Sequence, residues 1–263
     1  MKTFKIIACE IAFREISWIV SQTPNVVSLE FLPQGYHDNP EMGGTAVQQY
    51  VDALEPGKFD AVLVGYGLCN HLVTGLTARH TPIVIPRAHD CLTFFFGGKE
   101  RYKSYFMSHP GAYYYSSGWL EHRRRGGQQV PYTQRSGLGP KLTYDEMVDR
   151  YGEDNAAYLQ TFFEEWQENY SRACLINLEV TSHLGFRDEV RQICGEKDWE
   201  YDEVTGDIGL LKRWVDGDWN DEEFLIVPPG CTVEHSYDDS IIRATDRNPL
   251  VQIEVPVTIE GEK

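Results

Sequence analysis

The sequence predicts an α/β protein of two Rossmann-like lobes, with a parallel sheet of about four strands in the first and a smaller α/β unit in the second. Three observations predict it. Short, almost wholly apolar runs alternate with segments of helical period through the first hundred residues, the pattern of strands buried on both faces and joined by crossovers. A second alternation of the same kind resumes beyond residue 143. The chain of 263 residues, 41% hydrophobic and 24% charged, has the length and composition to bury a substantial core.

Phe4-Lys5-Ile6-Ile7-Ala8 reads as strand one, and Ile11, Ile16, Trp18 and Ile19 lie on one stripe of a helix from 11 to 20. Val26 to Leu32 is strand two. A Gly/Pro/Asn-rich loop from Pro33 to Gly44 leads to a helix over 45–54. Phe59 to Val64 is strand three, and Pro82 to Pro86 is strand four. From Gly111 to Pro140 the composition turns aromatic and glycine-rich, which predicts a crossing loop or lid over 111–142. It separates a first lobe, 1–110, from a second, 143–263. A capping box at Thr143-Tyr-Asp-Glu146 opens a long amphipathic helix to about Tyr170. A strand over 173–178, helices over 186–194 and 208–215, a strand over 224–227 and an alternating tail from Val251 to Ile259 complete the second lobe.

The net charge of −16 is uneven: residues 1–140 hold 13 Lys and Arg against 11 Asp and Glu, and the remainder 11 against 29. Acidic surface repels phosphate backbones, so nucleic acid is not an expected partner, and an anionic ligand is more welcome near the first lobe. No apolar run approaches a membrane span, and the apolar stretch Ile6-Ile7-Ala8-Cys9 is too short for a secretory leader. A cytoplasmic location is expected. The six cysteines then read as free thiols rather than a disulfide framework, and none forms a Cys-x-x-Cys pair.

Ligands of open parallel sheets bind beyond the carboxyl ends of the strands. Cys9 follows strand one, Cys69 strand three and Cys91 strand four, so a strand order of 2-1-3-4 makes the three thiols neighbours on one rim. His89 precedes Cys91 by two residues, on the same side if the backbone is extended. Soft thiolates with an imidazole select zinc or iron, which makes Cys9, Cys69, Cys91 and His89 candidate metal ligands for zinc or an iron–sulfur cluster. Two other readings stay open. Each cysteine can be a small buried hydrophobe, or Cys91 alone can be a thiolate nucleophile.

Around the rim, Arg87 is a candidate clamp for an anionic group and His89 a candidate general base. Gly65 and Gly67 let backbone approach a cofactor, with Asp90 beside them. Tyr113, Tyr114, Tyr115, Trp119 and Glu121 are candidates to wall a pocket, with Tyr114 and Glu121 as acid–base groups. An exposed helix face accounts for Glu15, and a role for Cys231 or His235 at the rim is the weaker alternative to a place outside it. Gly97-Gly98-Lys99 lacks the full spacing of a phosphate loop, and no dinucleotide fingerprint follows strand one.

Ile7-Ala8-Cys9-Glu10, Gly65-Tyr66-Gly67-Leu68-Cys69, Ile85-Pro86-Arg87-Ala88-His89-Asp90-Cys91, Gly111-Ala-Tyr-Tyr-Tyr115 and Gly118-Trp119 together resemble the domain-of-unknown-function 1638 family, and Trp219 to Gly230 fits as well. The resemblance implies no established reaction. It implies an association with corrinoid-dependent methyltransferases, hence with one-carbon metabolism and a corrinoid protein as partner. The expected function is a cysteine-ligated metal or iron–sulfur protein acting on a small molecule between the lobes. The alternatives are a non-catalytic metal or cofactor carrier that docks a corrinoid protein, and a metal-free cysteine thiolate enzyme.

Overall fold

Residues 1–124 and 170–246, with 148, 152 and 153 between them, are described by a computed structural model. The apolar runs form the strands expected of them. β1 (Thr3–Cys9) is buried from Phe4 to Cys9, and β3 (Ala61–Gly65) and β4 (Ile83–Pro86) are buried at every residue. With no water on either face, such strands are stabilised by roughly 1.5–3 kcal/mol for each large apolar side chain removed from solvent. β2 (Val26–Leu32) is half-exposed, as its alternating polar residues require of a sheet edge.

These strands pair in parallel in the order β2-β1-β3-β4, the order that brings the three cysteines to one rim. The register sets Ala8 opposite Gly65. A fifth strand, β8 (Phe224–Val227), joins antiparallel to β4. A three-stranded parallel sheet holds β5 (Ala112–Tyr115), β6 (Arg172–Asn177) and β7 (Glu200–Thr205) in that order. β9 (Cys231–His235) and β10 (Ile242–Asp246) form a hairpin.

The helices follow local signals. A 3-10 turn, Glu10–Ala12, leads into α1 (Phe13–Val20), which buries Ile16 and Ile19. α2 (Pro40–Asp52) starts five residues before the expected helix. Asn39 caps it by accepting the Met42 N–H at 3.2 Å, and Pro40 takes the first turn, where its missing N–H costs nothing. α3 (Leu92–Phe96) and α4 (Lys99–Ser108) fill a stretch read without elements. α5 (Ser117–Arg124) and β5 stand where an irregular lid is expected, because the Tyr113-Tyr114-Tyr115 run is strand-forming. α6 (Phe186–Lys197) crosses from β6 to β7, and α7 (Gly209–Asp216) packs on α1.

The division at residue 143 is therefore redrawn. The second sheet begins at β5, and the chain from α7 through β8 returns to the first sheet. Trp214 of α7 is fully buried and donates its indole N–H to the Val84 carbonyl at 3.2 Å, which ties that return to β4. The expected long helix over 143–170 and the alternating tail over 251–259 lie outside the described residues. No helix among the described residues is long and apolar enough to cross a membrane.

Candidate functional site

A cavity of about 440 Å³ opens where the carboxyl ends of β1, β3 and β4 face the second sheet, a volume ordinary for small-molecule sites. Cys9, Cys69 and Cys91 all line it. Cys9 ends β1 and is buried; Cys69 and Cys91 are half-buried because they open onto the cavity. Cys69 starts a run of three residues with left-handed backbone, Cys69, Asn70 and His71, at φ 42°, 55° and 70°. Such a run without glycine is costly. It persists because Leu68 and Cys69 donate their N–H groups to the Ala88 and His89 carbonyls at 2.7 and 2.9 Å, pinning the loop after β3 to the loop after β4.

Burial raises the pKa of all three thiols. Each is then pushed further by its neighbours: Cys9 by Cys91, Cys69 by Cys9 and Asp90, and Cys91 by Asp90 and Cys69. The three thiols share this one cavity. In opposition to burial, nearby N–H groups favour the charged form: that of Ile11 at Cys9, those of Gly67 and Cys91 at Cys69, and the Trp119 indole at Cys91. Among the described residues, no group of three or more His, Cys, Asp or Glu is spaced to hold a metal ion as it stands.

Asp90 lines the same cavity. Its carboxylate accepts the Leu92 N–H at 3.0 Å and the Tyr102 hydroxyl at 3.2 Å, while burial raises its pKa. Tyr66, only 2% exposed, and Tyr114 both line the cavity, and neither buried hydroxyl has a hydrogen-bond partner among the described residues. Burial pushes the Tyr114 hydroxyl up to about 12. An unpaired buried hydroxyl costs on the order of 1–3 kcal/mol, so these two are groups that a ligand can satisfy. Trp119, Tyr102, Phe106 and Tyr113 complete an aromatic wall, and no lysine or arginine among the described residues lines the cavity.

The structure thus places Cys9, Cys69, Cys91, His89, Asp90, Tyr114, Gly65 and Gly67 at one cavity. The glycines serve packing as well as access: a Cβ on Gly65 would meet Ala8 Cβ at 2.6 Å, and one on Gly67 would meet the Ala88 carbonyl oxygen at 2.9 Å. His89 is exposed at the rim, and Cys91 has helical backbone at φ −67° and ψ −18°, so the alternation of an extended strand does not relate the two side chains. Arg87 does not line the cavity. Its Nε donates to the Asp221 carbonyl and its Nη1 to the Ser240 carbonyl, both at 2.8 Å, with a further bond to the Ile242 carbonyl, so it braces backbone rather than clamping an anion. Glu121 does not line it either and accepts Arg14 Nε at 2.7 Å. Glu15 is fully buried, not exposed, because Ser117 Oγ from α5 donates to it at 2.6 Å. Cys231 and His235 lie outside the cavity, and Lys99 donates to the Asp239 carbonyl rather than presenting an anion site.

The family model described as protein of unknown function DUF1638 matches residues 31–215. The chain belongs to the DUF1638 family. The matched span carries Cys69, Asp90, Cys91, Tyr114 and Trp119, whereas Cys9 precedes it. No curated protein and no solved structure matches the chain. For this DUF1638 protein, then, the chemistry is read from the cavity. Sequence reasoning missed Tyr102, which α4 delivers from a segment with no buried residue and hence no amphipathic signal. It also missed Gln34, His37 and Tyr66. Tyr66 stands between two glycines already singled out, and that position was the available signal.

Proposed function

We propose that Cys9, Cys69 and Cys91 hold a soft metal centre, zinc or an iron–sulfur cluster, and that the protein acts there on a small molecule bound in the cavity. The observation that carries this reading is that three thiols following three strands of one parallel sheet share one cavity. Packing alone does not ask for that. The donor set fits a soft metal in kind, since three clustered thiols are neutral only until a cation draws off their protons. When bound, zinc supplies a Lewis acid, and a cluster supplies an electron or an open iron position.

The chain's own groups have separable tasks. Tyr66 and Tyr114 offer hydroxyls to orient a polar group of the substrate, and Asp90 holds or accepts a proton through its bond to Tyr102. The aromatic wall keeps water from the thiols. The raised thiol pKa values weigh against a lone thiolate nucleophile, which needs a depressed one. Six free cysteines suit a reducing compartment, so we place the protein in the cytoplasm. A role in corrinoid-linked methyl metabolism is supported by the family resemblance alone.

The test is metal and acid-labile sulfide analysis, with a visible spectrum, on protein purified without air and without a metal-affinity tag. Near-stoichiometric zinc, or iron with sulfide, lost in both Cys69→Ala and Cys91→Ala, is the expected result. Protein that neither carries nor takes up zinc or iron and sulfide, or that keeps its metal in both variants, overturns the proposal.

A further inference from the structure

The same cavity carries information about the charge of what it binds, and this inference rests on the site proposed above for the place of reaction but not for binding. Its one carboxyl group is that of half-buried Asp90, and no lysine or arginine among the described residues lines it. The thiols add no positive charge. Three thiolates around a divalent ion would leave the centre with a net charge of about −1 before Asp90 is counted. Apart from His37 and His89, the described lining holds no basic side chain, so an anion finds no lysine or arginine to pair with there.

The wall has the shape that organic cations use. Tyr102 and Tyr114 meet edge to face, with centroids 6.0 Å apart and planes at 82°. Tyr113 and Tyr170 do the same at 5.2 Å and 84°. Perpendicular rings form corners that present both a face and an edge, and Trp119 adds the ring type with the strongest attraction for cations. A bare ammonium needs hydrogen-bond acceptors on every N–H, but an alkylated one needs only apolar surface with a negative quadrupole. The unpaired Tyr66 and Tyr114 hydroxyls remain for a polar arm of the ligand.

We propose that this cavity binds a small alkylated ammonium ion, its alkyl shell against the Tyr102, Tyr114 and Trp119 rings and its polar arm met by Tyr66. This replaces the expectation from sequence of an anionic ligand, which rested on the charge asymmetry and on Arg87; Arg87 is committed to backbone carbonyls.

The experiment titrates the full-length protein, as purified and again after chelation of metal, following tryptophan fluorescence and heat of binding. The probes are choline, its neutral isostere 3,3-dimethyl-1-butanol, and the anion 3,3-dimethylbutanoate. Choline should bind about tenfold or more tightly than the neutral isostere, within the range of one or two cation–π contacts, and the anion should not bind. Tyr102→Leu and Tyr114→Leu should each weaken choline more than the isostere. If either variant fails to fold, the comparison of isosteres on the unaltered protein still decides. Equal or preferred binding of the neutral or anionic probe, or no choline binding at millimolar concentration, overturns the proposal. Selective choline binding by protein that neither carries metal as purified nor takes it up would sink the metal reading alone. Loss of selectivity in metal-loaded protein would sink this inference alone.

Discussion

Replacing Gly118 by alanine puts a methyl carbon 1.8 Å from the Ile11 carbonyl oxygen and 2.6 Å from its carbon. An ordinary C···O contact is about 3.3 Å, so α5 has to retreat by roughly 1.5 Å from the 3-10 turn that follows Cys9. That helix is fastened to α1 by Ser117 Oγ to Glu15 at 2.6 Å and by Arg14 to Glu121 at 2.7 Å, and it carries Trp119 of the cavity wall. Overpacking of this kind costs about 1–3 kcal/mol, and loosening the buried Glu15 bond adds about 1 kcal/mol or more. A total near 3 kcal/mol corresponds to a fall in Tm of about 6–12 °C for a chain of this size. Thermal unfolding followed by circular dichroism measures it, and alkylation of Cys91 should quicken in the same variant as Trp119 moves off the cavity wall and opens access to the thiol. A Tm within about 1 °C of the parent, with Cys91 unchanged, would refute the close seating of α5 on the first sheet.

Glu15→Gln should make the protein more stable at neutral pH and flatten its pH dependence. Burial raises the native Glu15 pKa above its ordinary value of 4.5, so above that pH the native state keeps a proton the unfolded chain has released. Stability therefore falls as pH rises through the native pKa, and a slope unchanged in the glutamine variant, after allowing for Asp90, would contradict the assignment. Iodoacetamide at neutral pH should label part-exposed Cys231 before Cys9, Cys69 or Cys91 in metal-free protein. Peptide mapping that finds a cavity thiol labelled first would return the case to a lone nucleophile. Arg87→Ala strands three carbonyls and should cost about 2–4 kcal/mol in urea unfolding. Lysine, lacking the planar fork, should recover less than half of that, and a cost below about 1 kcal/mol would show the bracing to be incidental.

What the sequence made legible is what local pattern encodes. β1, β3 and β4 announce themselves as unbroken apolar runs, and their ends place Cys9, Cys69 and Cys91 on one rim once the sheet order is 2-1-3-4. What stayed hidden depends on partners far along the chain. Glu15 is buried because Ser117 reaches it from 102 residues away, and Arg87 is occupied by carbonyls 134 to 155 residues on. β7 hides for a different reason. Its sequence, Glu-Tyr-Asp-Glu-Val-Thr, is acidic and half-exposed, and its polar groups are absorbed by Arg172 and Arg187 rather than by solvent alone. α4 buries no residue and so shows no hydrophobic period, although it delivers Tyr102 to Asp90. Trp119 could be read as a wall; that it shares its cavity with Cys91 could not, since nothing nearby in sequence relates the two.

The central claim is that three sulfurs of this chain hold one metal, and X-ray absorption at the metal edge tests it most directly. On anaerobically purified protein, we predict a first shell dominated by sulfur at about 2.3 Å, with three protein sulfurs per zinc or an added sulfide and iron shell for a cluster. The shell should lose sulfur in Cys9→Ser. A bound metal ringed only by nitrogen and oxygen, or a sulfur shell indifferent to Cys9, Cys69 and Cys91, would contradict the account.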